Sequence, residues 1–228
     1  MLIFINFYHR ERERESQGQK APSDTVRKNL TNHNRKCYNL YTMQSITELE
    51  NVLEQISSPE RFLYSRNDLK NLFPHFSDSN LNMLLSRAVK RGKLARICKG
   101  IYLYTKVPYN SSVILYKTAS KLRASWINYV SLETVLAAYS IISQQLPNWL
   151  TIMTTGRRGI ITCGSYGTVE FIHTAKKIAD IKNNLFLNER TGMLEAKPHQ
   201  AYLDMVDAKR QALDLVDMEV LKEYSDNE

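Results

Sequence analysis

Leu81, Leu84, Leu85, Ala88 and Val89 recur at i, i+3, i+4, i+7 and i+8, and Gly92 follows them immediately before two strand-like runs. No other feature restricts the fold as much. A helix with one apolar stripe must bury it, and a hairpin starting two residues later must lie beside that helix. The runs are Leu94-Ala95-Arg96-Ile97 and Ile101-Tyr102-Leu103-Tyr104, around Cys98-Lys99-Gly100, with glycine where a tight turn wants positive φ. Upstream, Ile46, Leu49, Leu53 and Ile56 mark a first helix, with Ser45 and Glu48 as a capping box and Ser57-Ser58-Pro59 as its stop. Phe62-Leu63-Tyr64 is a short apolar run. Ser65 then caps a second helix with Leu69, Leu72 and Phe73 inward and Pro74 at its end. Three short helices followed by a basic two-stranded ribbon is the order of a winged helix-turn-helix, expected over residues 43–108.

The exposed side of the third helix suits duplex DNA. Ser79, Asn80, Asn82, Met83 and Ser86 come first, and Arg87, Lys90 and Arg91 come last. Small polar groups can reach base edges in a major groove about 12 Å wide, with cations meeting the backbone beyond them. Arg96 and Lys99 on the ribbon are placed to neutralise phosphates.

Charge along the chain agrees with a polyanionic partner. The net charge of +8 divides into +4 for residues 1–42, +4 for 43–108, +5 for 109–177 and −5 for 178–228. A basic front and an acidic end direct a nucleic acid to the front. Residues 1–42 hold the alternation Arg10-Glu11-Arg12-Glu13-Arg14-Glu15 and a polar stretch that cannot bury enough surface to offset chain entropy. Periodicity begins abruptly at Met43, which is read as the native start, residues 1–42 being a non-native or disordered extension; a disordered DNA-binding arm is the competing reading. No apolar run approaches the roughly 18 residues of a membrane span, and Leu2 to Phe7 is too short for a signal peptide. Cys37, Cys98 and Cys163 show no pairing pattern, which argues against a disulfide framework or a cysteine zinc site. A cytoplasmic protein without membrane partners is expected.

Residues 109–228 read as a mixed α+β domain. Val113, Leu115, Tyr116, Ala119 and Leu122 form the apolar side of a helix that also carries Lys117, Lys121 and Arg123. Ser131 caps another helix, and Pro147 closes the loop after it. Leu150–Thr154, Gly159–Cys163 and Thr168–Thr174 read as a small antiparallel sheet, separated by turns that include Gly156-Arg157-Arg158-Gly159. A last hairpin around Glu189-Arg190-Thr191-Gly192 leads to one long C-terminal helix starting at Pro198. Tyr202, Met205, Val206, Leu213, Val216 and Val220 would face the core. Asp204, Asp207, Gln211, Asp214 and Asp217 would face solvent.

No catalytic set emerges. The aspartates lie on one expected helix face, whereas metal sites for phosphate chemistry usually draw ligands from separate elements. His75, His173 and His199 stand apart from any Cys or Ser motif, and no phosphate-binding glycine loop is present. No cofactor and no metal site is expected, and the chain is read as a non-enzyme.

The segment from Arg87 to Tyr102 resembles the end of the winged helix in AbiEi-type antitoxins of type IV toxin–antitoxin systems. Tyr129-Val130-Ser131-Leu132-Glu133-Thr134-Val135-Leu136 is similar to the segment that opens the second domain of that family. Thr151 to Arg158, Gly167 to Phe171 and Ala196 to Asp204 echo its strand-rich middle and a helix entered through a proline. The likeness covers roughly residues 43–215 and rests on serial order. One departure is Tyr139-Ser140, where relatives often carry His-Gly. The resemblance implies an antitoxin that represses its own operon by binding operator DNA and neutralises an AbiEii-like nucleotidyltransferase toxin, with no stable complex required. It leaves Lys117, Lys121, Arg123, Arg157 and Arg158 as the surface for antitoxicity or a partner. A stand-alone regulator whose second domain senses a ligand or dimerises is the alternative; oligomeric state is left open.

Overall fold

The computed structural model describes residues 45–143 and 148–225. The chain divides into two units, Met1–Leu49 and Glu50–Glu228, and only residues 45–49 of the first are described. The expectations for residues 1–42, for Met43 and for Pro147 lie outside the described residues.

Residues 45–56 are helical (α1). A short strand, β1 (Leu63–Ser65), precedes α2 (Arg66–Leu72) and α3 (Asp78–Lys90). Ser65 caps α2 reciprocally: its hydroxyl accepts from the Asp68 amide at 3.0 Å, and its own amide donates to the Asp68 carboxylate at 2.8 Å. Leu81, Leu84, Leu85 and Ala88 of α3 are buried as the stripe predicts, and Val89 is half-buried. The helix closes with a Schellman pair, Gly92 N–H to Val89 O at 3.0 Å and Lys93 N–H to Ala88 O at 2.9 Å, with Gly92 at φ +69°. β2 (Leu94–Cys98) and β3 (Ile101–Tyr104) form the expected hairpin, with a bulge between Arg96 and Cys98. The run at Phe62-Leu63-Tyr64 contributes the rest of a sheet. β1 pairs antiparallel with β3, giving the order β1-β3-β2.

The remainder confirms a mixed α+β architecture and corrects its details. It contains α4 (Ile114–Leu122), β4 (Asn128–Val130), α5 (Glu133–Ala138), β5 (Trp149–Thr154), β6 (Gly159–Thr162), β7 (Thr168–His173), α6 (Ile178–Ile181), β8 (Leu185–Asn188), β9 (Met193–Ala196), α7 (Pro198–Asp207) and α8 (Met218–Ser225). The sheet is neither small nor wholly antiparallel: six strands run in the order β6-β7-β5-β4-β9-β8, with β6 antiparallel to β7 as expected but β5 parallel to β7 and β4 parallel to β9. Leu150, Thr151, Ile152, Met153 and Thr154 of β5 are all buried, as befits a central strand covered on both faces. Alternation reveals a strand but does not name its neighbour.

The long C-terminal helix is also corrected. α7 starts at Pro198 as expected but stops at Asp207. Lys209 N–H bonds Val206 O at 3.0 Å, Arg210 N–H bonds Met205 O at 3.1 Å, and Lys209 takes φ +51°. This is the closure seen at Gly92, made without glycine. The chain turns there because Arg210 swings inward to the carboxylates of Glu133 and Glu170. Asp204 is not solvent-facing: it is fully buried.

One apolar cluster runs through Glu50–Glu228. It joins Phe62, Leu63, Ile97, Ile101 and Leu103 to Val113, Ile114 and Ala119 of the α4 region, and these to Tyr129, Ile152, Phe171, Ala201 and Met205. Polar ties follow the same line. Lys121 pairs with Asp68 at 2.7 Å, and Lys117 donates to the Glu60 carbonyl at 3.0 Å. Cys98 and Cys163, unpaired in the sequence reading, are both buried free thiols whose ionisation is linked. The Cys163 thiol holds the Cys98 thiol below its ordinary pKa against the opposing effect of burial, with Arg96 assisting.

Ser140 closes α5 in the same left-handed way, at φ +59°, with its N–H on Ala137 O at 3.1 Å and the Ile141 N–H on Leu136 O at 2.8 Å. This is the position where the resemblance expects glycine, and its requirement is conformational. A side chain there costs about 1–2 kcal/mol, partly offset by the unfolded-state freedom that glycine adds. Ser140→Gly should therefore stabilise the protein by about 0.5–1 kcal/mol, read as a rise of about 1–4 °C in thermal midpoint. An unchanged or lowered midpoint would contradict this.

Candidate nucleic-acid interface

The residues expected to meet DNA stand together on α3 and the hairpin after it. Ser79, Asn80, Asn82, Met83, Ser86, Lys90 and Arg91 are exposed, Met83 at 40%, and Arg87 is half-buried. The helix is fixed from its first turn, where the Ser77 hydroxyl accepts from the Asn80 amide at 3.2 Å. Arg96 and Lys99 are exposed on the hairpin. Arg96 Nε donates to the Cys98 carbonyl at 3.3 Å, across the bulge.

Arg66 was missed by the sequence reading. Its Nε donates to Asn82 Oδ1 at 2.9 Å, its guanidinium pairs with Asp78 at 2.9 Å, and its backbone N–H donates to Gly100 O at 2.8 Å. One residue thus braces both the start of α3 and the hairpin turn, and it offsets the Asp78 charge on a face otherwise suited to a polyanion. Sixteen residues separate Arg66 from Asn82, and no spacing rule connects them.

The five cations assigned to a partner surface have separate fates. Lys121 and Lys117 are held by Asp68 and by the Glu60 carbonyl. The Arg123 guanidinium lies 4.9 Å from the Phe171 ring centroid. Arg157 and Arg158 remain exposed on the loop between β5 and β6.

A second polar centre is interior. Asp204 accepts from the Ser131 hydroxyl at 2.7 Å, from Gln200 Nε2 at 2.9 Å and from Lys176 Nζ at 2.9 Å; Lys176 also pairs with Asp207 at 2.7 Å. Gln200 accepts from Asn184 at 3.1 Å. Burial, together with the nearby Asp204 charge, pushes the Tyr129 phenol well above its ordinary pKa. The segments at Tyr129–Leu136 and Ala196–Asp204, singled out separately in the sequence, meet here. Leu132, between Ser131 and Glu133, takes φ +61° and ψ −140° and is fully buried. Its carbonyl accepts from the Val135 and Leu136 amides at 3.1 and 3.0 Å. Nearby, the Thr151 hydroxyl donates to the Ser131 carbonyl at 2.6 Å, and the Thr151 amide donates to the Thr134 hydroxyl at 2.9 Å. Among the described residues no group of three or more His, Cys, Asp or Glu side chains is placed to hold a metal ion, and none of their helices is long and apolar enough to cross a membrane.

No protein-family model matches the chain, and no curated protein matches it.

Removing the buried acceptor should be costly. Asp204→Ala leaves the Ser131 hydroxyl and the Gln200 amide without their buried acceptor and Lys176 with Asp207 alone, a loss of about 2–4 kcal/mol measurable by chemical denaturation. A change under about 1 kcal/mol would show that the cluster does not support the fold.

Acid should destabilise the protein for a related reason. Lys93, helped by Lys106 and opposed by burial, holds Glu50 below its ordinary pKa. At Asp68 burial opposes ionisation, and Lys121 with the Ser65 amide and hydroxyl outweighs it. At Glu170 burial is likewise outweighed, by Arg210 and Trp149. Each folded-state pKa is depressed, so each contribution is complete above the unfolded value near 4 and is lost as pH falls through the folded one. The thermal midpoint should fall on acidification below about pH 4.5. Glu170→Gln should lower the midpoint at pH 7 and flatten its acid slope. An equal slope in that variant would remove Glu170 from the account.

Proposed function

We propose that the protein is a DNA-binding regulator of the AbiEi antitoxin type, whose described front is a winged helix-turn-helix. The observation that carries this reading is the joint placement of α3 and the hairpin. An exposed polar face running from Ser79 to Ser86 is followed by Arg87, Lys90 and Arg91, and flanked by Arg96 and Lys99 on the next strand and turn. A helix of that length can enter a major groove while the ribbon follows the backbone. β1 closes the ribbon into a three-stranded sheet, and Arg66 ties the turn to α3, so both elements would approach DNA as one rigid piece.

For the rest of the chain, the antitoxin reading is supported by the order of the quoted segments and by the meeting of two of them at Ser131 and Asp204. In this reading the protein represses its own operon and counters a nucleotidyltransferase toxin, without a stable complex being required. Antitoxicity is assigned to residues 109–228; because the apolar cluster continues across position 108, it is to be tested in the full chain.

Operator binding is tested by fluorescence anisotropy on DNA from upstream of the gene, across a salt series. Arg87→Ala, and separately Arg96→Ala with Lys99→Ala, should weaken binding, each lost phosphate contact reducing the salt slope by about one. Unchanged affinity and slope in both variants would overturn the docking. Growth rescue on co-expression with an AbiEii-like nucleotidyltransferase toxin separates the antitoxin from a stand-alone regulator.

A further inference from the structure

The loop carrying Arg157 and Arg158 borders an open cleft of about 820 Å³, lined also by Trp126, Gly156, Ile172 and His173. That volume lies within the range of small-molecule sites. The wall is built rather than incidental. The Trp126 amide donates to Arg123 O at 2.9 Å, and the Asn128 side-chain amide donates to the carbonyls of Arg123 at 2.9 Å and Trp126 at 2.7 Å. The next residue is fixed as well: Ile127 N–H reaches the Thr155 hydroxyl at 3.2 Å, and Thr155 N–H reaches Ile127 O at 3.1 Å.

Trp126 is therefore anchored by its backbone, yet its side chain is not buried. The residue is 53% exposed, while the indole packs so closely on Gly156 that a Cβ there would lie 2.8 Å from the ring. Gly156 is held from two further sides. Its carbonyl accepts from His173 Nδ1 at 2.8 Å, and its amide donates to the Thr154 hydroxyl at 3.0 Å. A carbonyl can only accept, so Nδ1 carries the proton and His173 Nε2 is left as the second polar site of that ring.

Among the described residues the charge of the cleft is positive and uncompensated. Neither Arg157 nor Arg158 has a carboxylate partner among the described residues, and no lining residue is acidic. Asp207, adjacent to the lining Ala208, is paired with Lys176 at 2.7 Å. An anchored indole with an open face, beside two guanidiniums with no carboxylate partner among the described residues, suits a base to stack and a phosphate to receive bidentate donors.

The geometry points to a binding site for a nucleotide unit, its base stacked on Trp126 and its phosphate on Arg157 and Arg158. A base within a duplex has no free face to offer the indole, so the ligand is unpaired, either a link of single-stranded nucleic acid or a free nucleoside monophosphate. This inference gives Arg157 and Arg158 a ligand class, and it does not depend on operator binding through α3.

The test uses the full chain at fixed salt. The probes are a mixed-sequence single-stranded octaribonucleotide, a blunt duplex of the same sequence, adenosine monophosphate and inorganic phosphate. Tryptophan fluorescence and anisotropy are the readouts. The unpaired octamer should quench fluorescence and bind. Trp126→Ala should weaken it about tenfold, Trp126→Phe should restore most of that loss, and Arg157→Ala with Arg158→Ala should weaken it at least tenfold. These side chains are exposed, and an unchanged thermal midpoint confirms that each variant is folded. Tighter binding of the octamer than of the monophosphate identifies a strand as the ligand; equal binding with the same variant dependence identifies the free nucleotide. Affinity that ignores Trp126, a duplex bound through these residues as tightly as the single strand, or inorganic phosphate competing as well as the monophosphate would each overturn the proposal. Arg96→Ala with Lys99→Ala should leave the octamer's quenching of Trp126 fluorescence unchanged, which separates this site from the operator-binding face.

Discussion

Asp204 has lost all contact with water, and a carboxylate in that position is tolerable only when its lone pairs are filled. Ser131, Gln200 and Lys176 fill them, and they come from different parts of the chain: the end of β4, the first half of α7 and the segment leaving β7. The requirement of one charge thus fixes α7 against the sheet. It also fixes Ser131, and with it the strained Leu132 that starts α5. That helix in turn is tied to the central strand by the bonds between Thr134 and Thr151. An unsatisfied donor or acceptor at any point would be expensive, so the arrangement is cooperative.

The described part of Glu50–Glu228 is joined in a second way, by apolar packing reinforced with cations. α4 lies between the three-stranded and six-stranded sheets within the continuous cluster. Its lysines serve as ties, Lys121 to Asp68 and Lys117 to Glu60, rather than as free surface charge. The hairpin takes part as well, because Ile97 and Cys98 point into the same cluster while Arg96 and Lys99 remain outside. A two-stranded ribbon alone would be marginally stable; here its inner face is buried and its third strand is supplied by β1.

The candidate sites differ in how far the chain announces them. On α3 the exposed side chains follow from periodicity alone, since burying Leu81, Leu84, Leu85 and Ala88 leaves Ser79, Asn82, Ser86 and Lys90 outward. Arg66 could not be placed there, because its role depends on how α2 crosses α3. At the cleft, Arg157 and Arg158 were visible as a basic turn, but Trp126 joins them only through the pairing of β4 with β5, which sets Asn128 opposite Thr154.

Local rules determined the elements. Ser65 with Asp68, the apolar stripe of α3, Gly92, the Lys99-Gly100 turn and Pro198 each settle their own conformation within a few residues, and the sequence shows them openly. The same closure occurs at Gly92, Ser140 and Lys209, yet only glycine advertises it, because glycine adopts positive φ without steric cost. At Lys209 the turn is imposed by distant partners, as Arg210 reaches Glu133 and Glu170. Tertiary structure alone decided that the six-stranded sheet mixes parallel and antiparallel pairs, that one helical pattern breaks into α7 and α8, and that Asp204 is interior. The reason is common to all three. An aspartate or a strand edge takes its partner from anywhere along the chain, and periodicity records which side is apolar but not what lies against it.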